Sequence, residues 1–436
     1  MRINTQIYVK PHEYKFVKLH DLEEVMKIIH SLNVVDEEKI PTWEANGRVL
    51  SRDAVVPIDV PPMHRAAYDG YAVRSVDVTH VPARLRLIGS VSIGSVPNME
   101  LGPMETAYVT TGAYLPKNAD AVVPEEYVEV LGNGEVVVNK SVRPWDNVDP
   151  AGSFARRGDV ALREGTVVMP WDIPALLELG IGEVWVRRKV RIYIVATGSE
   201  LVEAREPNDI VNAIISGKVV ESTASMIKNY INTYIPYAEV VGKTIVPDDP
   251  RAIERAVVHG INSADIVITT GGTGPSEVDY IYEVMQALKP RVYVRGLRMR
   301  PGRPTGIAVL ENNKVVINLS GHPISTLNAL TVIVKEVIRQ MAGVKVGPPE
   351  PRVRAKLVRG SLGDRELARQ YRVRVVRRGD EYIIEEIPKQ GSSLTHTLLM
   401  INGLVFTGRG HIVNEGEYVE VLLLRQPFNL SDESNL

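Results

Sequence analysis

A chain of 436 residues is too long for a single hydrophobic core, and at roughly 100–200 residues per domain it predicts about three or four domains. Its 51 Lys and Arg residues are balanced by 53 Asp and Glu, so the formal net charge of −2 argues against a general nucleic-acid binder or a binder of anionic membranes. The chain has no cysteine, which excludes disulfides, zinc–thiolate sites and thiol nucleophiles.

Targeting and membrane segments are not expected. Residues 1–20 are polar and lack the apolar core of a signal peptide. No stretch reaches the roughly 18 uncharged apolar residues of a membrane span, and the apolar run from Leu330 to Ile338 is broken by Lys335. A cytoplasmic location without membrane attachment is therefore expected. The lack of cysteine also fits a thermophilic source, in which thermolabile residues are depleted.

The first part of the chain changes from a helical to a β pattern. Between Tyr14 and Asp53, the apolar residues Leu22, Val25 and Ile29 recur at helical spacing. Short β runs follow, and an asparagine–glycine pair between the last two predicts a hairpin. The runs are Arg84–Ile93, Ala107–Thr111, Ala121–Val130 and Glu135–Val142, and a helical pattern returns at Pro174–Leu179.

Strands and helices alternate from about residue 189 to residue 344, which predicts a mostly parallel α/β sheet. The predicted strands are Val190–Ala196, Glu239–Val246, Ala264–Thr270 and Val315–Leu319, and the predicted helices are Val219–Ile231, Pro250–His259, Val278–Leu288 and Ile324–Met341. The proline-rich break Gly347–Pro351 reads as a linker. The short β runs beyond it, Tyr371–Val376, Tyr382–Ile387 and Tyr418–Leu424, predict a small β domain.

Polar and glycine-rich turns follow four of the predicted strands. Ligands of open parallel sheets bind at the carboxyl ends of the strands, and glycine-rich turns at helix starts point backbone amides at an anion such as a phosphate. Each turn alone is explained by ordinary turn chemistry, but four at equivalent places predict a ligand crevice. They are Thr197–Glu200, Val246–Pro250, Gly271–Pro275 and Leu319–Pro323.

Acidic residues accompany these turns, namely Glu200, Asp248, Asp249 and Asp279. Phosphates and carboxylates share a site when a hard cation such as Mg²⁺ lies between them. One of the two adjacent aspartates is explained equally well as the N-cap of the following helix.

The densest positive cluster of the α/β section surrounds a Pro301-Gly302 turn and contains Arg298, Arg300 and Arg303. Guanidinium groups suit an anion with several oxygens, and a bare oxyanion such as molybdate is an acceptable occupant. The alternative is a solvated turn.

Further ordered motifs extend the pattern over the chain from about Phe16 to Leu424. They are Tyr68-Asp69-Gly70-Tyr71-Ala72, Thr111-Gly112-Ala113, Ala119–Pro124, Thr197–Leu201, Gly271-Gly272 through Asp279-Tyr280, Arg300–Pro304, Gly321-His322-Pro323 with Ser325, Gly391-Ser392-Ser393 and Asn402-Gly403-Leu404. This ordered set resembles the molybdopterin molybdenumtransferase family, which includes the gephyrin E domain.

The resemblance implies a multidomain α/β plus β fold assembled as an elongated homodimer. Residues 14–54 and 143–188 are expected to form a discontinuous linker domain and residues 55–142 a β-rich domain. Residues 189–345 are expected to form the α/β molybdopterin-binding domain and residues 346–426 a C-terminal β-barrel. The active site would lie between the α/β domain of one subunit and the β-rich domain of the other. Asp69 and Thr111 of the β-rich domain are therefore expected to face the crevice.

The reaction implied by the resemblance is metal insertion. Adenylyl-molybdopterin binds together with molybdate or tungstate, Mg²⁺ helps to hydrolyse the adenylyl pyrophosphate bond, AMP leaves, and the dithiolene takes the metal. The expected catalytic residues are Asp69, Glu200 and Asp279, and the expected metal ligands are Glu200, Asp248, Asp249 and Asp279. The expected contacts to the pterin nucleotide and oxyanion are Thr111, Gly112, Thr197, Gly198, Gly271, Gly272, Arg300, Gly302, Arg303, Ser320, Gly321, Pro323 and Ser325.

The sequence also departs from the family pattern. Ser199 replaces an aspartate, Asp149 an arginine and Phe154 an aspartate, while His64-Arg65 replaces Asp-Asn. Arginines stand at both lysine positions of the Pro301-Gly302 turn. These departures favour a tungsten-dedicated or otherwise diverged member.

Two further classes of function remain open at this point. One is a molybdopterin-binding carrier or scaffold without insertase activity, and the other is a generic nucleotide-binding α/β protein. The molybdopterin adenylyltransferase is the protein partner that the resemblance suggests, and no nucleic-acid partner is expected.

Overall fold

The computed structural model describes residues 18–272, 280–386 and 390–429. Over those ranges no helix is both long enough and apolar enough to cross a membrane.

Helix α1 (Leu22–His30) buries Val25 and Ile29 in the core that it shares with the last helix of the α/β section. The helical prediction for residues 14–53 is wrong beyond His30. The apolar spacing ends there, and Pro41 cannot lie inside a helix without losing a hydrogen bond. The chain continues instead as short strands, which pair with strands more than a hundred residues later. These elements are β1 (Glu37–Pro41), β2 (Val49–Leu50), β3 (Ala54–Val55), β12 (Val160–Leu162), α2 (Asp172–Glu178) and β13 (Glu183–Arg187).

A six-stranded sheet in the order β8-β5-β7-β6-β10-β9 forms the β-rich part. The predicted hairpin is confirmed, since β9 and β10 pair antiparallel across residues 132–134. The predicted run Ala121–Val130 is split into two strands by a 3-10 turn at Glu125–Tyr127. The six strands are β5 (Gly70–Val73), β6 (Ala83–Val91), β7 (Glu105–Val109), β8 (Ala121–Pro124), β9 (Val128–Leu131) and β10 (Glu135–Val138), and β4 (Arg65–Ala66) and β11 (Val148–Asp149) form a separate pair.

The α/β section is built on a sheet of order β17-β14-β18-β22-β21-β19. The first four strands are parallel, which confirms the predicted mostly parallel sheet, and two unpredicted short strands add an antiparallel edge. The six strands are β14 (Val190–Thr197), β17 (Ala238–Val246), β18 (Ile266–Thr270), β19 (Val292–Arg295), β21 (Gly306–Val309) and β22 (Val315–Leu319), and β15 (Leu201–Val202) and β16 (Val219–Val220) form a separate parallel pair.

Helices cover both faces of this sheet, with α4 and the α7–α8 run in one apolar core and α5 and α6 in the other. The prediction of a helix from Val219 is wrong at its start, because Val219–Val220 pairs with β15 as a strand. The sequence prediction missed α3. The helices are α3 (Pro207–Ile215), α4 (Thr223–Tyr234), α5 (Pro250–Ser263), α6 (Tyr280–Ala287), α7 (Pro323–Ala329) and α8 (Lys335–Met341).

The predicted helix Ile324–Met341 is one helical run, but a π turn at Leu330–Val334 joins α7 to α8. Such turns carry one extra residue and often mark functional regions. Here the π turn presents Thr331 to the C-terminal domain, where its hydroxyl accepts a hydrogen bond from Gln370 Nε2 at 2.9 Å.

The C-terminal domain is a β-barrel, as predicted. Five strands close in the order β25-β26-β23-β29-β27, and β27 returns to β25. Its core contains Val373, Val375, Ile384, Val405 and Val421. The five strands are β23 (Arg352–Leu357), β25 (Ala368–Arg378), β26 (Glu381–Glu386), β27 (Gly403–Thr407) and β29 (Tyr418–Leu423). Beside the barrel, β24 (Ser361–Gly363) pairs with β28 (Ile412–Asn414), and β30 (Phe428–Asn429) pairs with β25.

One strand of the α/β section also joins the barrel sheet. Strand β20 (Met299–Arg300) pairs in parallel with the start of β25, so that Arg300 lies opposite Arg369. The loop that the sequence marked as an anion site is thereby fixed against the barrel.

Candidate functional site

The turns after the parallel strands converge at one edge of the sheet, as the sequence predicts. The amide of Gly198 donates to the Val246 carbonyl at 3.1 Å, and the Thr197 hydroxyl donates to the Thr270 carbonyl at 3.2 Å. A Cβ placed on Gly321 would lie 3.5 Å from the Gly271 Cα. The turns after all four parallel strands therefore meet at this edge, which we call the crevice.

Gly271 is required by this convergence. It has φ +90°, which favours glycine, and a Cβ there would collide with the carbonyl oxygen of Thr197. The adjacent Gly272 has φ +62°. The sheet edge therefore presents backbone, with little side-chain bulk, to a ligand.

The crevice also contains the start of α7. Pro323 is the first residue of the helix, after His322 as N-cap, and the Ser320 hydroxyl accepts a hydrogen bond from the His322 amide at 3.2 Å. The Gly321 carbonyl accepts from the Thr223 hydroxyl at 2.8 Å. Unpaired amides at a helix start favour an anion.

The acidic residues are placed differently from one another. Asp249 caps α5 by accepting from the Ala252 amide at 2.7 Å, so the N-cap interpretation applies to this member of the pair. Asp248 accepts from the Ser199 amide at 3.0 Å, and Glu200 is exposed on the same turn as Ser199. Asp279 lies outside the described residues. Among those that are described, no three His, Asp or Glu side chains group as metal ligands.

Asp69 and Thr111 contact each other in the β-rich part. One carboxylate oxygen of Asp69 accepts from both the amide and the hydroxyl of Thr111, at 2.6 and 2.9 Å. The Thr111 amide, followed by its hydroxyl, holds the pKa of Asp69 below the ordinary value of 3.8. Gly112 closes the same turn by donating to the Ala66 carbonyl at 2.7 Å. Asp69 is thus an exposed, ionised carboxylate in a fixed position.

The arginine turn lines a cavity of about 520 Å³ between the α/β section and the barrel. Arg300, Gly302, Arg303 and Ser325 contribute one wall, so the structure brings these four predicted residues together. The opposite wall is lined by Arg369, Gln370, Tyr371, Gln390, Gly391 and Ser392. We call this cavity the arginine pocket.

Sequence reasoning missed Arg369 and assigned no role to Gly391 and Ser392. Arg369 reaches the pocket because its strand pairs with β20, a long-range contact that local sequence does not reveal. The signal that could have found it is the concentration of arginines near the start of that strand. The pocket therefore gathers three guanidiniums from two domains.

The crevice and the arginine pocket adjoin through the first turn of α7. Pro323 opens the helix beside the crevice. Two residues later, Ser325 lines the pocket, and its carbonyl oxygen would lie 3.4 Å from a Cβ on Gly302. A ligand with two anionic parts could occupy both.

Three family models match nearly all of this architecture. The "MoeA N-terminal region (domain I and II)" matches residues 20–180, the "Probable molybdopterin binding domain" residues 193–340, and the "MoeA C-terminal region (domain IV)" residues 354–424. The chain belongs to the MoeA family.

Individual MoeA relatives are similar over the same length. A protein of Haemophilus influenzae named molybdopterin molybdenumtransferase is 28% identical over 398 residues, which cover 90% of this chain and 94% of that protein. One of Staphylococcus aureus with the same name is 29% identical over 330 residues, covering 74% and 75%. The solved molybdopterin biosynthesis MoeA protein of Pyrococcus horikoshii has 29% identity and a TM-score of 0.75, covering 93% of this chain and all of that one.

Several departures of this MoeA chain from the family motifs contact one another. Arg65 Nε donates to the Asp149 carboxylate at 3.0 Å, and its guanidinium lies 4.5 Å from the centre of the Phe154 ring. His64 packs on Trp145 with ring centres 4.6 Å apart. Arg65 thus pairs with Asp149 where the family pattern has asparagine and arginine at these two positions.

Proposed function

We propose that this MoeA-family chain inserts molybdate or tungstate into adenylyl-molybdopterin and releases AMP. The observation that carries the proposal is the arginine pocket, which adjoins the glycine-lined crevice through Ser325 and the first turn of α7. A pterin nucleotide in the crevice and a metal oxyanion in the pocket would lie side by side, as metal transfer requires.

The crevice residues suit the nucleotide. Glycines at positions 198, 271, 272 and 321 keep the sheet edge free of side chains, and the first turn of α7 after Pro323 presents backbone amides beside it. Backbone amides in this arrangement bind phosphate oxygens without the entropy cost of ordering long side chains. These residues would hold and orient the adenylyl pyrophosphate.

The arginine pocket suits the oxyanion. Arg300, Arg303 and Arg369 each present a planar fork of donors, and Ser325 and Ser392 add hydroxyl groups. Arg369 is partly neutralised by Asp364 at 3.6 Å, which leaves the other two arginines as the main attraction for a dianion. The pocket would concentrate molybdate or tungstate beside the dithiolene sulfurs.

The proposed Mg²⁺ site depends on Asp279 in addition to Glu200, Asp248 and Asp249. The described carboxylates do not make a Mg²⁺ site on their own, because Asp249 caps a helix and Asp248 is bonded to Ser199. Glu200, Asp248 and Asp249 together with Asp279 remain the proposed ligand set, and Asp279→Asn is the variant that tests it.

Turnover with purified protein tests the proposed function. The protein is incubated with adenylyl-molybdopterin and either molybdate or tungstate, with and without Mg²⁺, and AMP is measured. We expect AMP release to depend on the oxyanion and to fall by roughly one to three orders of magnitude in Asp279→Asn, as for other positioned catalytic groups. Absence of AMP release with either oxyanion would contradict the proposal.

The second candidate function is a molybdopterin carrier or scaffold. Ser199 at a family aspartate position and the helix-capping role of Asp249 favour it, since both reduce the number of carboxylates open to a cation. Tight binding of the pterin nucleotide without AMP release in the same assay would support this alternative.

We further propose that the active unit is a homodimer. The hydrogen bonds between Asp69 and Thr111 lie within the β-rich part of one chain. The surface around these two residues carries exposed apolar side chains. Tyr68 and Ile93 beside the two residues are 57% and 68% exposed. An exposed apolar surface next to a fixed carboxylate supports contact with the crevice of a second copy.

A further inference from the structure

Arg372 is the largest fully buried side chain of the described residues, with 1% of its surface exposed. It lies on the outer face of the barrel, since Tyr371 and Val373 on either side of it pack in the barrel core. Burying a guanidinium is costly unless its N–H groups are bonded, and burial lowers the pKa of Arg372. The segment from Gln390 to Leu399 covers it.

Hydrogen bonds from Arg372 fix this segment at three residues. Its Nε donates to the Thr397 hydroxyl at 3.1 Å, and its Nη2 donates to the Gly391 carbonyl at 3.3 Å. Its backbone amide and carbonyl make a reciprocal pair with the Gln390 side chain, at 3.0 and 2.9 Å. Gln390 and Gly391 both line the arginine pocket.

The bond to Gly391 sets the direction of the next amide. The Gly391 carbonyl also accepts from the Leu394 amide at 3.3 Å, which closes a turn that contains Ser392. In a trans peptide the C=O and N–H groups point in opposite directions. Because the Gly391 carbonyl points at Arg372, the Ser392 amide points away from it, and Ser392 lines the pocket.

We propose that Arg372 is a positioning residue for oxyanion binding, which acts by holding the Gly391–Ser392 peptide with its amide available to the anion. The inference rests on the proposed function, because it takes a metal oxyanion as the occupant of the arginine pocket. A planar guanidinium with donors in fixed directions can hold two acceptors at once, whereas a lysine ammonium is a point charge on a flexible stem.

The test compares four full-length variants with the wild type. Arg372→Met removes the donors, Arg372→Lys keeps the charge, and Thr397→Val removes one acceptor with little change of volume. Leu357→Ala is the control, because Leu357 is fully buried in the barrel core and lies outside the segment. Tungstate and AMP affinities are measured by calorimetry, together with the melting temperature.

We expect Arg372→Met to weaken tungstate binding at least tenfold with AMP binding unchanged. Thr397→Val should lose less tungstate affinity than Arg372→Met. The tungstate affinity of Arg372→Lys should lie between those of Arg372→Met and the wild type. Leu357→Ala should lower the melting temperature and leave tungstate affinity within twofold. If Arg372→Met does not fold, the tungstate affinity of Thr397→Val provides the test in its place.

Three results would overturn the inference. Wild-type tungstate affinity in Arg372→Met, or in Thr397→Val when the former does not fold, excludes a positioning role. An equal loss in Leu357→Ala shows that affinity only follows barrel stability. A wild-type protein that binds AMP but not tungstate rejects the oxyanion assignment of the proposed function, and the inference falls with it.

Discussion

Ser199 and Asp248 hold each other through two hydrogen bonds. The Ser199 amide donates to the Asp248 carboxylate at 3.0 Å, and the Asp248 amide donates to the Ser199 hydroxyl at 3.1 Å. The pair ties the turn after β14 to the turn after β17 at the mouth of the crevice. An aspartate in place of Ser199 would set two carboxylates side by side.

Ser199→Asp is therefore expected to lower the free energy of unfolding at low salt by about 1 kcal/mol, the Coulomb energy of two unit charges 4 Å apart in water. The loss should shrink at 0.5 M NaCl, where such charges are screened. Denaturant unfolding at two salt concentrations measures it, with Ser199→Ala as the control for the lost hydroxyl. A loss that does not depend on salt would show that repulsion is not its cause.

Arg303→Ala is expected to weaken molybdate and tungstate binding by similar amounts, about 1.5–3 kcal/mol, the value typical of a hydrogen bond to a charged group. The two anions have the same charge and nearly the same size. Changing Arg300 and Arg303 together to lysine should cost less, because both charges remain. Calorimetry with each anion measures the effect.

The matched control for this pocket is Arg354→Ala, which removes a barrel arginine that lies over Tyr418 away from the pocket. It should leave both affinities unchanged. A double-lysine variant whose preference between the two metals changes tenfold would show that the arginines select the metal, contrary to this prediction.

Asp265 joins the linker region to the α/β sheet, and its removal is expected to destabilise the protein. Its buried carboxylate accepts from Arg188 at 2.6 and 2.9 Å and from the Arg191 amide at 2.9 Å. Asp265→Asn should lower the free energy of unfolding by about 1.5–3 kcal/mol, the value typical of a hydrogen bond to a charged group, because Arg188 keeps only its longer pair with Asp36 at 3.7 Å. Glu183→Gln, which breaks the exposed pair with Lys39, should cost under about 1 kcal/mol.

The same carboxylate predicts a pH dependence. Burial raises the pKa of Asp265, but Arg188, the Arg191 amide and Lys314 together outweigh it and hold the pKa below 3.8. A lowered folded-state pKa gives stability that is present above about pH 4 and lost as pH falls through the folded value. Unfolding measured between pH 2.5 and 6 should show this loss in the wild type and a weaker one in Asp265→Asn. An equal pH dependence of the free energy of unfolding in the two proteins would show that Asp265 is not the group responsible.

Mixing two inactive variants tests the proposed shared site. If Asp69 of one copy completes the crevice of another, a dimer of Asp69→Ala with Asp279→Asn contains one intact site. Random exchange should then restore roughly a quarter of wild-type AMP release, since half of the dimers are mixed and each has one of two sites. No recovery after verified subunit exchange would place Asp69 in the site of its own chain.

The sequence predicted the parallel sheet and its crevice well, because both depend on local signals. Apolar runs of five to eight residues followed by glycine or serine turns mark β14, β18 and β22 almost to the residue. The arginine turn was recognised for the same reason. Its partners on the barrel were not, because Arg369 and Ser392 come close only through pairing between domains.

Local signals also existed for one element that the prediction missed. Helix α3 begins with Pro207 at its first turn and has a capping box between Glu206 and Asp209. Its apolar residues are not placed for burial, since Ile214 and Ile215 are 67% and 80% exposed. A search guided by apolar periodicity alone passes over such a helix, whereas a search for caps would have found it.

The two-residue ladder between β20 and β25 limits how this chain can be recombined. Arg300 and Arg369 are register partners in it. A shift of one residue would turn every side chain of the short strand to the opposite face. A barrel grafted from a relative would therefore need the same number of residues between its first strand and the position of Arg369. A fusion junction placed between residues 358 and 367 would risk shifting the pairing of β20 with β25. The domain looks modular in the sequence, but its exchange is constrained by these two residues.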